Sequence, residues 1–168
     1  MSTNTASIEY EIYTDRDRLD IDVIHGFLVR SYWSHGVPRD IVARAIRHSL
    51  CFGIDHRRVQ VGFARLVTDR ATFAYLADVF ILEEHRGIGL AKRLMGAILA
   101  HADLQGLRRL LLGTRDAHGL YEQFGFRALA NPGRMMEIIR PDTYRTSSAV
   151  GHELHARATL PEEPCIRS

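Results

Sequence analysis

The sequence predicts an α/β (α+β) fold in which a mixed, mainly antiparallel central sheet is flanked by helices on both faces. Short strand-like runs alternate with segments whose apolar residues recur at helical spacing, a pattern typical of layered sheets and helices. The 168 residues are 46% hydrophobic, enough for one domain with a sizeable core. We expect this domain to span residues 1–144. Residues 145–168 are polar and aperiodic, and we expect them to form a mobile tail.

Periodicity and turn residues place the elements of the first half of the chain. Pro38 fits the first turn of the second helix, because proline there loses no intrahelical hydrogen bond. A polar stretch, Asp55-His56-Arg57-Arg58, marks a hairpin turn. The predicted elements are, in order, a strand at residues 9–14, helices at residues 20–32 and 39–50, and hairpin strands at residues 51–54 and 59–68.

The second half begins with an apolar run at residues 71–82, which predicts a strand buried on both faces. The helix after it carries a packed apolar stripe made of Ala91, Leu94, Met95, Ile98 and Ala102. The remaining predicted elements are a strand at residues 109–113, a helix around Tyr121, and two strands, one near Phe126 and one at residues 135–139.

The start of the helix after residue 89 is unusual. The segment Arg86-Gly87-Ile88-Gly89-Leu90-Ala91 has no acidic side chain that could satisfy the free N–H groups of a helix start. Its glycines let a ligand approach the backbone, and we expect Arg86 to be exposed beside it. A helix N-terminus left open in this way suits a pyrophosphate. The spacing matches neither GxxxxGK[ST] nor GxGxxG.

A second block follows at residues 117–126, where Ala117, Leu120, Tyr121 and Phe124 share one helical face and Gly125 fits the C′ position. The two blocks match the patterns [RQ]-x-x-G-x-[GA] and AxxLYxxxGF. Together they resemble the GCN5-related N-acetyltransferase (GNAT) superfamily, with good coverage over residues 59–139.

The resemblance implies acetyl-CoA as cosubstrate, and the spacing of the cysteines predicts no metal. It implies that the strands before the two motif helices splay apart, and that the pantetheine amides pair with one strand edge. A backbone N–H near Phe80 would polarise the thioester carbonyl. The implied cofactor-binding residues are Val79, Phe80, Ile81, Arg86, Gly87, Ile88, Gly89, Leu90, Ala91, Lys92 and Thr114.

Acetyl transfer to an amine requires a neutral amine and a proton for the leaving thiolate. An alkyl ammonium has a pKa of about 10.4 and a thiol one of about 8.5, so a phenol is a suitable proton donor to the thiolate. Tyr121 stands at the LY position of the second motif, where the family's tyrosine is the usual general acid. The alternative is a core tyrosine on an amphipathic helix.

Asp78 is the candidate catalytic group on the acceptor side, because an acidic residue in an apolar strand is costly unless it is paired or used. Residues 77–81 resemble the Glu-Asp-Phe-Phe-Val-like segment of polyamine acetyltransferases, with Ala77 replacing the first acid. One alternative is an Asp78 bound to an arginine or a backbone N–H. Another is deprotonation of the amine through water.

Three aromatic residues are candidates for acceptor binding. Tyr32 and Trp33 lie between the first two helices, and their rings suit a cation or an aromatic amine. Ordinary helix packing would also explain them. Strand alternation places Tyr75 on the face opposite Asp78, where it would line the acceptor site if the acceptor lay on that face.

Composition excludes several other function classes. There are 22 Lys and Arg against 20 Asp and Glu, far from the clustered basicity of a nucleic-acid binder. Cys51 and Cys165 fit no metal spacing. The chain has no apolar leader and no run long enough to span a membrane, so we expect a cytoplasmic protein without a membrane partner.

These observations predict an N-acetyltransferase that moves the acetyl group of acetyl-CoA to a primary amine of a small molecule. The alternatives are a catalytically silent acyl-CoA-binding or sensing domain, and a protein or peptide N-acetyltransferase. Relatives often dimerise through late strands, so a homodimer through the Met135-Met136 segment is a further expectation.

Overall fold

The computed structural model describes residues 9–144, and the expected tail lies outside the described residues. These residues form one five-stranded sheet in the order β1-β2-β3-β4-β5. The first four strands pair antiparallel and β5 pairs parallel to β4, which confirms the mixed, mainly antiparallel sheet. The strands are β1 Tyr10–Tyr13, β2 Leu50–His56, β3 Val59–Thr68, β4 Phe73–Ile81 and β5 Arg109–Leu112.

Helices cover both faces of this sheet, as the sequence predicts. On one face, α1 and α2 bury their apolar sides against Cys51, Phe63 and Phe80. On the other face, α3 and α4 pack on a larger cluster from β2, β3 and β4. The helices are α1 Ile21–Leu28, α2 Arg39–Arg47, α3 Leu90–Ala100 and α4 His118–Glu122.

Local residue chemistry explains where several elements begin. The Asp20 carboxylate accepts hydrogen bonds from the N–H groups of Asp22 and Val23, at 2.9 and 3.1 Å, and so caps α1. Arg57 and Arg58 have φ values of 50° and 69°, the two positive angles of a tight hairpin turn. The polar stretch that marked the β2–β3 turn is therefore confirmed, although β2 continues into it as far as His56.

Two expectations about burial are wrong in part. The first half of β4 is buried on only one face, since Phe73 and Tyr75 are 39% and 38% exposed. Ala102 does not extend the stripe of α3. That helix ends at Ala100 because His101 takes an extended conformation, and Ala102 begins a separate 3₁₀ turn.

The two late strands expected near Phe126 and at residues 135–139 are wrong. Between residues 113 and 144 the structure has no strand, and Met136 and Ile138 are 96% and 87% exposed. A strand forms only where its backbone N–H and C=O groups find a neighbouring strand. Apolar composition predicts the tendency to form a strand but does not supply that neighbour.

No helix among residues 9–144 has the length and apolar character needed to cross a bilayer.

The packing of α3 predicts opposite effects for two substitutions on one helix. Leu94 is fully buried, so Leu94→Ala should lower the free energy of unfolding by about 2–5 kcal/mol. Gly96 lies in the same helix, and a β-carbon there would meet nothing within 4 Å. Gly96→Ala should therefore raise the free energy of unfolding by about 0.5–1 kcal/mol.

Urea denaturation of the two variants beside the wild type measures both changes. A Leu94→Ala variant as stable as the wild type would contradict the placement of α3 on the sheet.

Candidate active site

The site begins where β4 and β5 separate. Their parallel pairing runs from Phe73 opposite Arg109 to Leu76 opposite Leu112. β5 then ends, while β4 continues to Ile81. The edge of β4 beyond Leu76 has no strand beside it on that side in the described part of the chain. The splayed strands that the resemblance implied are therefore present.

A cleft of about 370 Å³ opens at this point. Its walls come from the loop between α1 and α2, from β4, and from the segment joining β5 to α4. The lining residues are Tyr32, Trp33, Tyr75, Leu76, Ala77, Asp78, Val79, Leu112, Gly113, Thr114, Arg115, Asp116, Ala117 and Tyr121.

Asp78 occupies a bulge in β4. Phe63 of β3 faces Phe80, while Arg65 faces Ala77, so β4 has one more residue than β3 in this interval. Asp78 has a φ of 55°, the left-handed conformation found in one type of bulge and tolerated by Asp better than by most residues. The bulge also ends the simple alternation of side chains along β4. Tyr75 and Asp78, which alternation placed on opposite faces, both line the cleft.

The carboxylate of Asp78 is paired. The Nε of Arg65 donates to its Oδ2 at 2.7 Å, and the Nε1 of Trp33 donates to its Oδ1 at 3.1 Å. The Asp78 side chain is only 9% exposed, so these partners satisfy a charge that the apolar strand could not bury alone. The arginine-bound Asp78 left open by the sequence is the arrangement found. It does not exclude contact between this carboxylate and an acceptor.

Arg65 connects this pair to the rest of the fold. Its Nη1 donates to the Oγ of Ser49 at 3.2 Å, just beyond the end of α2. Trp33 connects the other oxygen of Asp78 to the loop between α1 and α2. The bulge is therefore tied through polar contacts to the loop between α1 and α2 and to the residue just beyond α2.

The predicted aromatic residues form one wall of the cleft. The rings of Tyr32 and Trp33 meet edge to face, with centroids 5.0 Å apart. The Arg115 guanidinium carbon lies 4.0 Å from the centroid of the Tyr32 ring, and the Arg115 backbone N–H donates to the Tyr32 hydroxyl at 3.3 Å. Tyr32, Trp33 and Tyr75 thus line the same cleft.

Tyr121, in α4, also lines the cleft. It is buried, and its ring meets Phe126 edge to face with centroids 5.8 Å apart. The Oγ1 of Thr114 accepts a hydrogen bond from the Ala117 N–H at 3.0 Å, which fixes the chain just before α4. Thr114 and Tyr121 line the cleft together. Gly125 has a φ of 87°, as expected for the residue that ends this helix motif.

The beginning of α3 is open, as the sequence predicts. Gly89 precedes the helix with a φ of 81°, and Gly87 has a φ of 77°. A β-carbon at either glycine would meet nothing within 4 Å. No side chain of residues 9–144 caps this helix start, and its first turn contains no acidic residue. The N–H groups of the first turn, at Leu90, Ala91 and Lys92, are therefore available to an anion.

Arg86 is less exposed than the sequence predicts. It is half-buried, and its Nε donates to the Ile81 carbonyl at 2.9 Å. This bond ties the glycine loop to the end of β4. Sequence periodicity could not predict it, because the acceptor is a backbone group five residues earlier.

The proposed pantetheine edge has its side chains in the core. Val79, Phe80 and Ile81 are all buried, and the Phe80 ring stacks on Phe27 with centroids 4.0 Å apart. Only the backbone of these residues can therefore contact a ligand in the cleft. Ile88, between the two glycines, is exposed.

Sequence reasoning missed Arg65 and Arg115. Arg65 did leave a signal, because a basic residue inside an apolar strand requires a partner, just as Asp78 does. Arg115 left none, since its contact with Tyr32 joins segments 83 positions apart.

Residues 9–144 contain no cluster of His, Cys, Asp and Glu that could hold a metal ion.

Comparisons with known proteins agree with this geometry. Residues 10–126 match the model of the acetyltransferase (GNAT) family. A crystal structure from Xanthomonas campestris pv. campestris, described as a candidate GNAT acetyltransferase, is 51% identical with a TM-score of 0.79. The match covers 82% of this chain and 97% of that one.

Two further relatives are more distant. A Gibberella zeae protein named as a candidate acetyltransferase is 37% identical over 136 residues, which are 67% of this chain and 76% of the relative. A Clostridium acetobutylicum structure with acetyl-CoA is 14% identical with a TM-score of 0.57, covers 77% of this chain and 94% of its own, and shows the shared fold. The match to the family model spans well over half of the sequence, and the chain belongs to the acetyltransferase (GNAT) family.

Proposed function

We propose that this protein transfers the acetyl group of acetyl-CoA to a primary amine of a small molecule. The observation that carries the proposal is the separation of β4 from β5 beside an open helix start. The unpaired strand edge supplies hydrogen-bonding groups for an extended amide chain, and the first turn of α3 supplies them for a diphosphate.

The residues present suit acetyl-CoA. Gly87 and Gly89 leave room for phosphate oxygens to approach the backbone, and their positive φ angles make larger residues unfavourable there. In the proposal the N–H groups from Ile88 to Lys92 bind the diphosphate, and Arg86 adds positive charge. The backbone of residues 79–81 and the hydroxyl of Thr114 bind the pantetheine arm. A structural neighbour solved with acetyl-CoA, from Clostridium acetobutylicum, supports this assignment.

Tyr121 acts as the general acid in this proposal. The acceptor nitrogen forms a bond to the acetyl carbon and the carbon–sulfur bond breaks, so the departing sulfur requires a proton. The phenol of Tyr121 donates it and recovers, through water, the proton that the nitrogen loses as the amide forms. A backbone N–H near Phe80 stabilises the negative charge that develops on the acetyl oxygen. The position of Tyr121 in the cleft wall supports this role.

Asp78 acts on the acceptor amine. Each of its oxygens accepts one hydrogen bond from the protein, and a carboxylate oxygen has a second lone pair for another donor. We propose that Asp78 binds the acceptor ammonium and receives its proton, directly or through a water molecule. Tyr32, Trp33 and Tyr75 surround the rest of the acceptor.

Two alternatives are less well supported. A silent acyl-CoA-binding domain would have no need of a tyrosine in the cleft beside the separated strands. A protein or peptide acetyltransferase would need a surface for an extended chain, whereas a cleft of about 370 Å³ is at the small end of the range for small-molecule sites.

Tyr121→Phe tests the general acid. The rate of thiol release from acetyl-CoA should fall about 100-fold or more because the proton donor is lost, while the dissociation constant for coenzyme A stays the same. Stopped-flow thiol detection and calorimetry measure these two quantities. Tyr144→Phe, which removes a hydroxyl outside the cleft, is the control. An unchanged rate for Tyr121→Phe would contradict the assignment.

Arg86→Glu tests the diphosphate site. The substitution places a negative charge at the start of α3 and should weaken coenzyme A binding at least tenfold, as measured by calorimetry. Arg47→Glu makes the same charge change on an exposed position of α2 and is the control. Because Arg86 also bonds the Ile81 carbonyl, thermal melting must show that the variant is folded. Equal binding by a folded Arg86→Glu variant would contradict the site.

A homodimer and a cytoplasmic location complete the proposal. The exposure of Met135 and Met136, at 45% and 96%, supports a contact between copies at this segment. Light scattering should give a dimer for the wild type and a monomer for Met136→Glu. A wild-type monomer would contradict the dimer.

A further inference from the structure

Arg115 is a charged residue in the cleft that the proposed chemistry does not use. Its guanidinium lies over the Tyr32 ring, and its own backbone N–H donates to the Tyr32 hydroxyl. Tyr32, from the loop between α1 and α2, therefore contacts Arg115 through its ring and through its hydroxyl. Because both residues line the cleft, the guanidinium is positioned beside the space for the acceptor.

The contact with the Tyr32 ring leaves the side-chain hydrogen-bond donors of Arg115 unused. A guanidinium has five N–H donors in one plane, and a ring face offers no oxygen or nitrogen acceptor for them. Among residues 9–144, no carboxylate forms an ion pair with this side chain and no protein acceptor takes a hydrogen bond from it. Arg65 is by contrast neutralised by Asp78.

Other charges in the cleft are arranged to complement a zwitterion. Asp116 follows Arg115 directly in sequence and also lines the cleft, so this segment contributes both a cation and an anion to the lining. The Asp78 carboxylate lies on the β4 wall. Tyr32, Trp33 and Tyr75 line the same cleft, and their rings suit an apolar or aromatic side chain.

We infer, resting on the proposed function, that Arg115 binds a carboxylate of the acceptor and that the acceptors are α-amino acids with apolar or aromatic side chains. The planar fork of a guanidinium matches a carboxylate with two parallel hydrogen bonds. The acceptor carboxylate then faces Arg115, and its amine faces the carboxylates of the cleft. Arg115 is a specificity residue in this scheme and takes no part in proton transfer.

Matched acceptors test the inference, namely L-phenylalanine against 2-phenylethylamine and L-tryptophan against tryptamine. Arg115→Gln should lower kcat/KM for the amino acids at least tenfold, through KM, and change kcat/KM for the simple amines less than threefold. Arg115→Lys should recover part of the loss. Arg47→Gln, an exposed arginine of α2, is the matched control and should change neither.

Three results would overturn the inference: a wild type that acetylates the simple amines but not the amino acids, an Arg115→Gln variant that slows both classes equally, or one that weakens coenzyme A binding. The last result would assign Arg115 to the cosubstrate. A wild type that acetylates no amine at all would contradict the proposed function, and the inference with it. Coenzyme A calorimetry and the simple amines separate that failure from failure of the inference alone.

Discussion

The site depends on the bulge in β4 at Asp78, and the ion pair between Asp78 and Arg65 stabilises that bulge. Asp78 has a left-handed backbone conformation, which costs most L-residues about 1–2 kcal/mol. The conformation persists here because Arg65 and Trp33 fix the Asp78 carboxylate. The bulge directs Asp78 into the same cleft as Tyr75. Just before it, β4 loses β5 as a partner, and the gap between the two strands begins.

The gap joins two regions with different chemistry. Where β4 ends, at Ile81, Arg86 ties an open glycine loop to the strand, next to the uncapped first turn of α3. Where the gap begins, Trp33 ties the loop between α1 and α2 to the bulge at Asp78. The first region suits a diphosphate and the second an amine with an apolar body. In the proposed reaction the acetyl group lies between these two regions, in the cleft that Tyr121 also lines.

Much of this could be predicted from local patterns. The hairpin, the stripe of α3 and the helix around Tyr121 depend on residues close in sequence, so periodicity and glycine positions identify them. The bulge could not be predicted from the sequence. One additional residue in β4 reverses the alternation of side chains between the two sheet faces, and the amino-acid composition of the strand does not indicate it. The strands expected after residue 125 fail for a related reason, since pairing depends on distant backbone groups. The Arg115–Tyr32 stack is also a long-range contact.

The central claim is that one ligand occupies the edge of β4 and the start of α3 together. Hydrogen exchange with and without coenzyme A tests it most directly. The account predicts slower exchange at the backbone amides of residues 79–81 and 88–92, with little change in α1 and α2. Protection confined to other segments, or no protection at saturating coenzyme A, would contradict it.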